Sequence, residues 1–372
     1  MRLDTRLVQA GQDPEPVTGD VVPAVHLSTT YERRAQQPPR YFYGRTENPT
    51  RDRLEQCLAS LEDARFASTF ASGQAAAATA LSLLAPGRRI VCVDDVYAGT
   101  DALLARQAQP VDYADLSDPH LRDQALSAAD LGMVWVESPT NPRLKIVDIA
   151  AVRDRISGRG VLLVVDNTFA TPVLQQPLSL GADVSLYSTT KFMAGHGDVL
   201  GGALVYRDAG LHDAVRGYRD TAGNVPGALD CFLIHRGLKT LSVRLERQVR
   251  TARVLAGLLD EHPAVGTVHY PGMAAHPDAA VVRRQMRQPG SVISFEYLGE
   301  PASVLDRVRL FACAVSLGGV RSLIECPALM THGRLPAGTR RRRGITDSLI
   351  RLSIGLEDPD DLVADLKVAL DP

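Results

Sequence analysis

Apolar residues along this chain fall into two textures. Between residues 90 and 206, short aliphatic and β-branched runs recur: Ile90–Val93, Gly132–Val136, Val161–Val165, Val184–Tyr187 and Gly201–Tyr206. The gaps between them leave room for helices, the pattern of βαβ units in a parallel sheet. Upstream, Leu54, Cys57, Leu58 and Leu61 stand at helical spacing behind Asn48-Pro49-Thr50, with Thr50 as the expected N-cap. The Ala-rich run from Ser72-Gly73-Gln74 to about Leu84 is apolar on all sides, which predicts a buried helix. From about Leu238 the texture changes to long Arg- and Leu-rich helices, followed by a strand near Val292–Tyr297. The first fifty residues carry neither period and read as an extended arm ending in Tyr41-Phe42-Tyr43-Gly44-Arg45. A chain of 372 residues exceeds what one core usually holds. The pattern therefore predicts an α/β protein with an arm (1–47), a large mainly parallel-sheet domain (48–235) and a smaller α+β domain (236–372).

Composition narrows the class. A hydrophobic content of 45% supplies a large core, and the net charge of −2 favours neither nucleic acid nor an acidic membrane as partner. The one basic cluster, Arg340-Arg341-Arg342-Arg343, reads as a solvated helix face or loop. The start, Met1-Arg2-Leu3-Asp4, opens no apolar stretch of signal-peptide length, and Val161–Val165 is far too short to span a bilayer. Five widely spaced cysteines without C-x-x-C predict reduced, mostly buried thiols, a cytoplasmic setting and no metal site. Of 41 basic residues only four are lysines: Lys145, Lys191, Lys239 and Lys367. Arginine serves wherever a plain positive charge suffices. A lysine that remains invites the question of whether its amine must lose a proton and react.

Parallel sheets bind ligands beyond the carboxyl ends of their strands, so the residues that follow each run carry the interest. Asp166-Asn167-Thr168 follows Val161–Val165, Ser188-Thr189-Thr190-Lys191 follows Val184–Tyr187, and Tyr97-Ala98-Gly99-Thr100 closely follows Ile90–Val93. Ser72-Gly73 opens a helix, where free N–H groups favour an anion such as phosphate. A lysine amine, an acid for a pyridine nitrogen, an aromatic cover and a phosphate-binding helix start are the parts of a pyridoxal 5′-phosphate (PLP) site. Each alone has a bland reading as cap, turn or packing residue; together they form one set.

These stretches, with Tyr43-Gly44-Arg45, Glu137-Ser138-Pro139-Thr140-Asn141-Pro142, Ser316-Leu317-Gly318-Gly319, Met330-Thr331-His332 and Leu349-Ile350-Arg351-Leu352-Ser353, resemble the Cys/Met-metabolism PLP enzymes. That family includes cystathionine γ-synthases, cystathionine γ- and β-lyases and methionine γ-lyases. The resemblance runs from about Tyr43 to Leu356 and implies the type I fold of PLP-dependent transferases. It implies Lys191 as the Schiff-base lysine, Asp166 on the pyridine nitrogen, and Tyr97 over the ring as an acid/base group. Gly73, Gln74, Ser188 and Thr190 would hold the phosphate, with Asn141 close by. Tyr43 and Arg45 would reach the phosphate of a neighbouring subunit, so a homo-oligomer, a tetramer of two active-site dimers, is expected. Arg351 would clamp the substrate carboxylate beside Ser316. Lys145 and Lys239 read as structural.

Val315 stands where the resemblance implies glutamate in cystathionine γ-lyases and γ-synthases and valine in methionine γ-lyases. An apolar wall there suits a methylthio group. The expectation is a C–S lyase that γ-eliminates methionine to 2-oxobutyrate, methanethiol and ammonia. Cystathionine γ-lyase or γ-synthase chemistry is the alternative, and a non-catalytic scaffold the distant one. Three departures stand out: Gly99 in place of a cysteine, Gln74 in place of an apolar residue, and Arg321 in place of a glutamate. Arg321 is either a surface exchange or a ligand for a substrate carboxylate. Two other classes fall away. Ser188-Thr189-Thr190-Lys191 is formally S-x-x-K but lacks its S-D-N and K-T-G partners, and no dinucleotide or P-loop glycine motif occurs.

Overall fold

Two sheets of unequal size organise the chain. The computed structural model describes residues 1–36 and 40–371, so residues 37–39 of the arm lie outside the described residues. The larger sheet holds β1 (Phe66–Phe70), β2 (Arg89–Val93), β3 (Val111–Ala114), β4 (Leu131–Glu137), β5 (Leu162–Asp166), β6 (Val184–Tyr187) and β7 (Gly202–Tyr206). Their spatial order is β1-β7-β6-β5-β4-β2-β3. The pairs from β3 through β6 are parallel, and β7 runs antiparallel to both β6 and β1. β4 is buried at every position, the continuous apolar pattern of a strand covered on both faces. The helix 149–156 and the helix 73–81 bury apolar side chains in the same core.

The structure adds two strands that the apolar pattern did not announce. β3 reads Val-Asp-Tyr-Ala and is only partly buried, as an edge strand can be. β1, Phe-Ala-Ser-Thr-Phe, pairs with β7, and Ser68 is bonded to the Tyr206 hydroxyl at 2.7 Å. Two local expectations change at the N-terminal end. The arm is not wholly extended: Leu3–Gln9 is a helix that inserts Leu7, fully buried, against the helix 49–61. Seven residues are too short for a period to be legible, and tertiary packing stabilises them instead. The N-cap of the helix 49–61 is Asn48, not Thr50. The Asn48 carboxamide oxygen accepts from the N–H groups of Thr50 and Arg51, and Pro49 occupies the first turn, where no N–H partner is needed.

The smaller sheet contains β8 (Val265–His269), β9 (Val292–Tyr297), β10 (Ala312–Cys313), β11 (Leu323–Glu325) and β12 (Leu349–Ser353) in the order β10-β11-β12-β9-β8. The 21-residue helix 241–261 ties the two halves together. Leu241 and Leu245 pack in the core of the larger sheet, while Ala252, Leu255, Ala256 and Leu259 pack in that of the smaller. Cys57, Cys92, Cys231 and Cys326 are buried, Cys313 is exposed, and all five are free thiols. Among the described residues, no helix is long and apolar enough to cross a membrane. Within the Arg340–Arg343 run, Arg340 pairs with Asp347 and Arg343 with Asp101, both at 2.8 Å.

Candidate active site

The carboxyl ends of β2, β4, β5 and β6 open into a cavity of about 750 Å³, closed on the far side by residues from the smaller sheet. β6 is followed by Ser188, Thr190 and Lys191, β5 ends on Asp166, and β4 ends on Glu137 and leads to Asn141. Tyr97, four residues beyond β2, caps the helix 98–104 and faces the same space. From the smaller sheet, Val315 and Ser316 follow β10, and Arg351 lies in the middle of β12. Gly73 and Gln74 begin the helix 73–81 at the opposite wall. Two separate sheets thus supply one site.

Its polar contacts are specific. The Lys191 amine donates to the Ser316 hydroxyl at 2.8 Å. Arg351 is buried and donates to Asn141 Oδ1 at 2.8 Å and to the Ser316 carbonyl at 2.9 Å, while Glu325 Oε1 accepts at 2.9 Å. Ser316 has φ +93, a left-handed conformation that costs a non-glycine residue on the order of 1–3 kcal/mol. The surrounding contacts hold it there, so that one residue serves both the lysine and the arginine. Burial lowers the Lys191 amine to about 8, and the neighbouring Arg351 guanidinium pushes in the same direction. The amine therefore gives up its proton more readily than an ordinary lysine, and the unprotonated form is the one that acts as nucleophile or base.

The acids of the site are displaced the other way. Burial raises the Asp166 carboxyl to about 6, opposed by bonding to Thr168, whose N–H donates to Oδ1 at 3.0 Å. Glu137 is pushed well above the carboxylate range by burial and then by Asp166, and it accepts from the Tyr97 N–H at 3.0 Å. The phenol of Tyr97 is also raised, by burial first and Glu137 second. A buried acid whose ionised form lacks a cation at full strength is a receptor for positive charge. Asp166 is such a group.

The residues present fit PLP. Gly73 and Gln74 stand in the first turn of their helix, so their N–H groups have no acceptor within it. A Cβ added at Gly73 would stand 2.8 Å from the Ser188 Cβ, so only glycine lets the helix start approach the Ser188 loop this closely. Such a helix start could hold a phosphate, and Lys191 and the buried acid Asp166 line the same cavity. Two of the sequence departures prove to be coupled. A Cβ at Gly99 would overlap the Gln74 carboxamide and the Tyr97 ring. The missing side chain at 99 makes the room that the longer side chain at 74 fills.

Some expectations land elsewhere. Tyr43 and Arg45 do not line this chain's cavity; both are exposed, with the Arg45 guanidinium 5.5 Å from the Tyr43 ring centroid. Arg321 is exposed and outside the cavity wall. Lys145 bridges Asp94 at 3.0 Å and Asp115 at 2.7 Å, and Lys239 donates to Gln12. Sequence reasoning did not select Glu137, Thr168, Glu325 or Arg334. The first two stood inside quoted strand-end motifs, the one signal available. Glu325 and Arg334 carried none.

Fold and cavity together define a PLP-dependent enzyme of the type I fold that acts on amino acids. Residues 4–371 match the family model for Cys/Met metabolism PLP-dependent enzymes, and the chain belongs to that family. It is 43% identical to a cystathionine β-lyase of Coxiella burnetii, across 99% of this chain and 97% of that one. It is also 43% identical to a cystathionine γ-lyase of Dictyostelium discoideum, across 100% and 98%. Among solved structures it is similar to CalE6 from Micromonospora echinospora, called a cystathione γ-lyase, with 65% identity, TM-score 0.97 and coverage of 100% and 99%. An apo structure of CalE6, called a methionine γ-lyase, aligns with 63% identity, TM-score 0.94 and the same coverage. This chain is a PLP-dependent trans-sulfuration enzyme, similar to cystathionine γ-lyases and γ-synthases.

Proposed function

We propose that the chain catalyses γ-elimination from a sulfur amino acid, with methionine as the substrate that best suits its wall. Methionine and water would give 2-oxobutyrate, methanethiol and ammonia. The observation that carries the choice is Val315, half-exposed on the wall of a cavity that Met330 and Leu335 also line. An apolar surface there favours a methylthio group and leaves a charged tail without a partner at that position.

When bound, PLP supplies the electron sink that makes the Cα–H of the amino acid acidic. The N–H groups of Gly73 and Gln74 and the hydroxyls of Ser188 and Thr190 are suited to the phosphate, Asp166 to the ring nitrogen, and Tyr97 to the ring face beside Asn141. Tyr43 and Arg45 would serve a second copy, which makes the working unit a homo-oligomer. Arg351 binds the α-carboxylate through its planar fork. The neutral amine of Lys191, held by Ser316, would take the proton from Cα, give it up on the cofactor side, and, neutral again, take one from Cβ. Tyr97 would return a proton to the departing thiolate.

Cystathionine γ-lyase chemistry is the second reading, supported by the relatives that carry that name. Separate incubations with methionine, cystathionine, homocysteine and cysteine decide between them through the keto acid and thiol released. 2-Oxobutyrate with methanethiol as the preferred products supports the proposal, and pyruvate refutes it. Val315→Glu shifts preference from methionine toward cystathionine. Unmoved selectivity would remove Val315 from the argument.

A further inference from the structure

Every cavity-lining charge except one has a visible purpose. Asp101 is engaged by Arg343 at 2.8 Å, and Arg343 in turn lies 4.7 Å over the Tyr113 ring centroid. Arg351 is balanced by Glu325, whose Oε1 also accepts from Thr331 at 3.0 Å. Glu137 and Asp166 line the cavity at the ends of β4 and β5, where the proposed cofactor would sit. Arg334 lines the cavity, as do Met330 and Leu335, and it is exposed, with no hydrogen bond or ion pair from its guanidinium among the described residues.

We infer that Arg334 receives a carboxylate carried on the substrate's γ-substituent, so that the enzyme takes thioether amino acids with an acidic tail. The inference rests on the γ-elimination reading and extends it beyond methionine. A cavity of about 750 Å³ lies within the range that holds whole small-molecule ligands, so an extended tail has room beside the cofactor. Val315, Met330 and Leu335 give the tail an apolar path. An apolar tail end that covered Arg334 would strip water from a cation and return nothing, whereas a carboxylate restores a charge-assisted hydrogen bond. Among the described residues near this end of the cavity, Asp101 is already paired with Arg343 and Glu325 with Arg351. A tail ammonium would therefore lack a partner. The favoured tail is a plain carboxylate rather than the amino-acid end of cystathionine.

The test uses the PLP-loaded enzyme with methionine, S-(2-carboxyethyl)homocysteine and cystathionine, following 2-oxobutyrate. The wild type should prefer the carboxyethyl thioether to cystathionine. Arg334→Gln should lower kcat/KM for the carboxyethyl thioether about tenfold relative to methionine, mainly through KM, since an exposed charge-assisted bond sits at the low end of its range. Arg334→Lys should recover most of that ratio. A ratio that does not move in Arg334→Gln overturns the assignment, as does a parallel loss on both substrates that lysine fails to rescue. A wild-type preference for cystathionine overturns the plain-carboxylate tail. Failure of the wild type to release 2-oxobutyrate from all three compounds would instead mark the γ-elimination reading as the fault.

Discussion

Replacing Asp166 by asparagine should stabilise the cofactor-free protein, and increasingly so as pH rises from about 4 to 7. The carboxyl stands at about 6 in the folded chain against an ordinary 3.8, because burial disfavours its charge. Between those values the folded state holds a proton that the unfolded state has released, so this group makes stability fall with rising pH. A shift of about two units corresponds to about 3 kcal/mol. That figure is an upper one, since the carboxylate borders a cavity that water enters, and about 1.5–3 kcal/mol is expected. The asparagine of the variant would keep the oxygen that accepts from the Thr168 N–H and would not titrate. Urea unfolding of both apo-proteins at the two pH extremes reads the effect as a growing stability difference in favour of the variant. A difference that stays constant with pH would refute the burial argument. Adding PLP should reverse the ranking, with a smaller rise in Tm for Asp166→Asn, because the ring nitrogen's charge then pairs with the acid only in the wild type.

Lys191→Ala should bind PLP without a covalent bond and lose its visible absorbance on desalting in denaturant, and its turnover should vanish. In the wild-type apo-protein the rate of covalent PLP incorporation should rise with pH through about 8, where the amine loses its proton; a pH-independent rate would contradict that displacement. Arg351→Ala should raise KM for amino acids by more than about tenfold. It should also destabilise the fold by about 3 kcal/mol, since Glu325 would be left buried and unpaired; unchanged substrate affinity would contradict the clamp. Asn48→Ala removes the cap of the helix 49–61 and the bond from its amide to the His26 carbonyl, so thermal unfolding should report a loss of about 1 kcal/mol.

What could be read from residues alone was whatever is encoded locally and repeated. Strands β2, β4, β5, β6 and β7 announced themselves because each is a run of apolar residues destined for a doubly covered sheet. That Lys191, Asp166 and Tyr97 would meet at one cavity was legible because ligands bind just past such runs, and lysine is scarce in this chain. The helix at Leu3–Gln9 and the strands β1 and β3 were not, since their stability comes from partners distant in sequence. The same holds for the outer half of the cavity. Glu325 is distinguished from other glutamates by its place beside Arg351 on the neighbouring strand. Arg334 and Arg321 are both exposed, and what distinguishes them is that only Arg334 lines the cavity. The coupling of Gly99 to Gln74 is likewise a matter of shared volume, which has no linear trace in the chain. Local pattern determined the fold class and singled out Lys191 as the candidate amine; packing of the two sheets decided which charges surround it, because burial and pairing exist only once the chain has closed on itself.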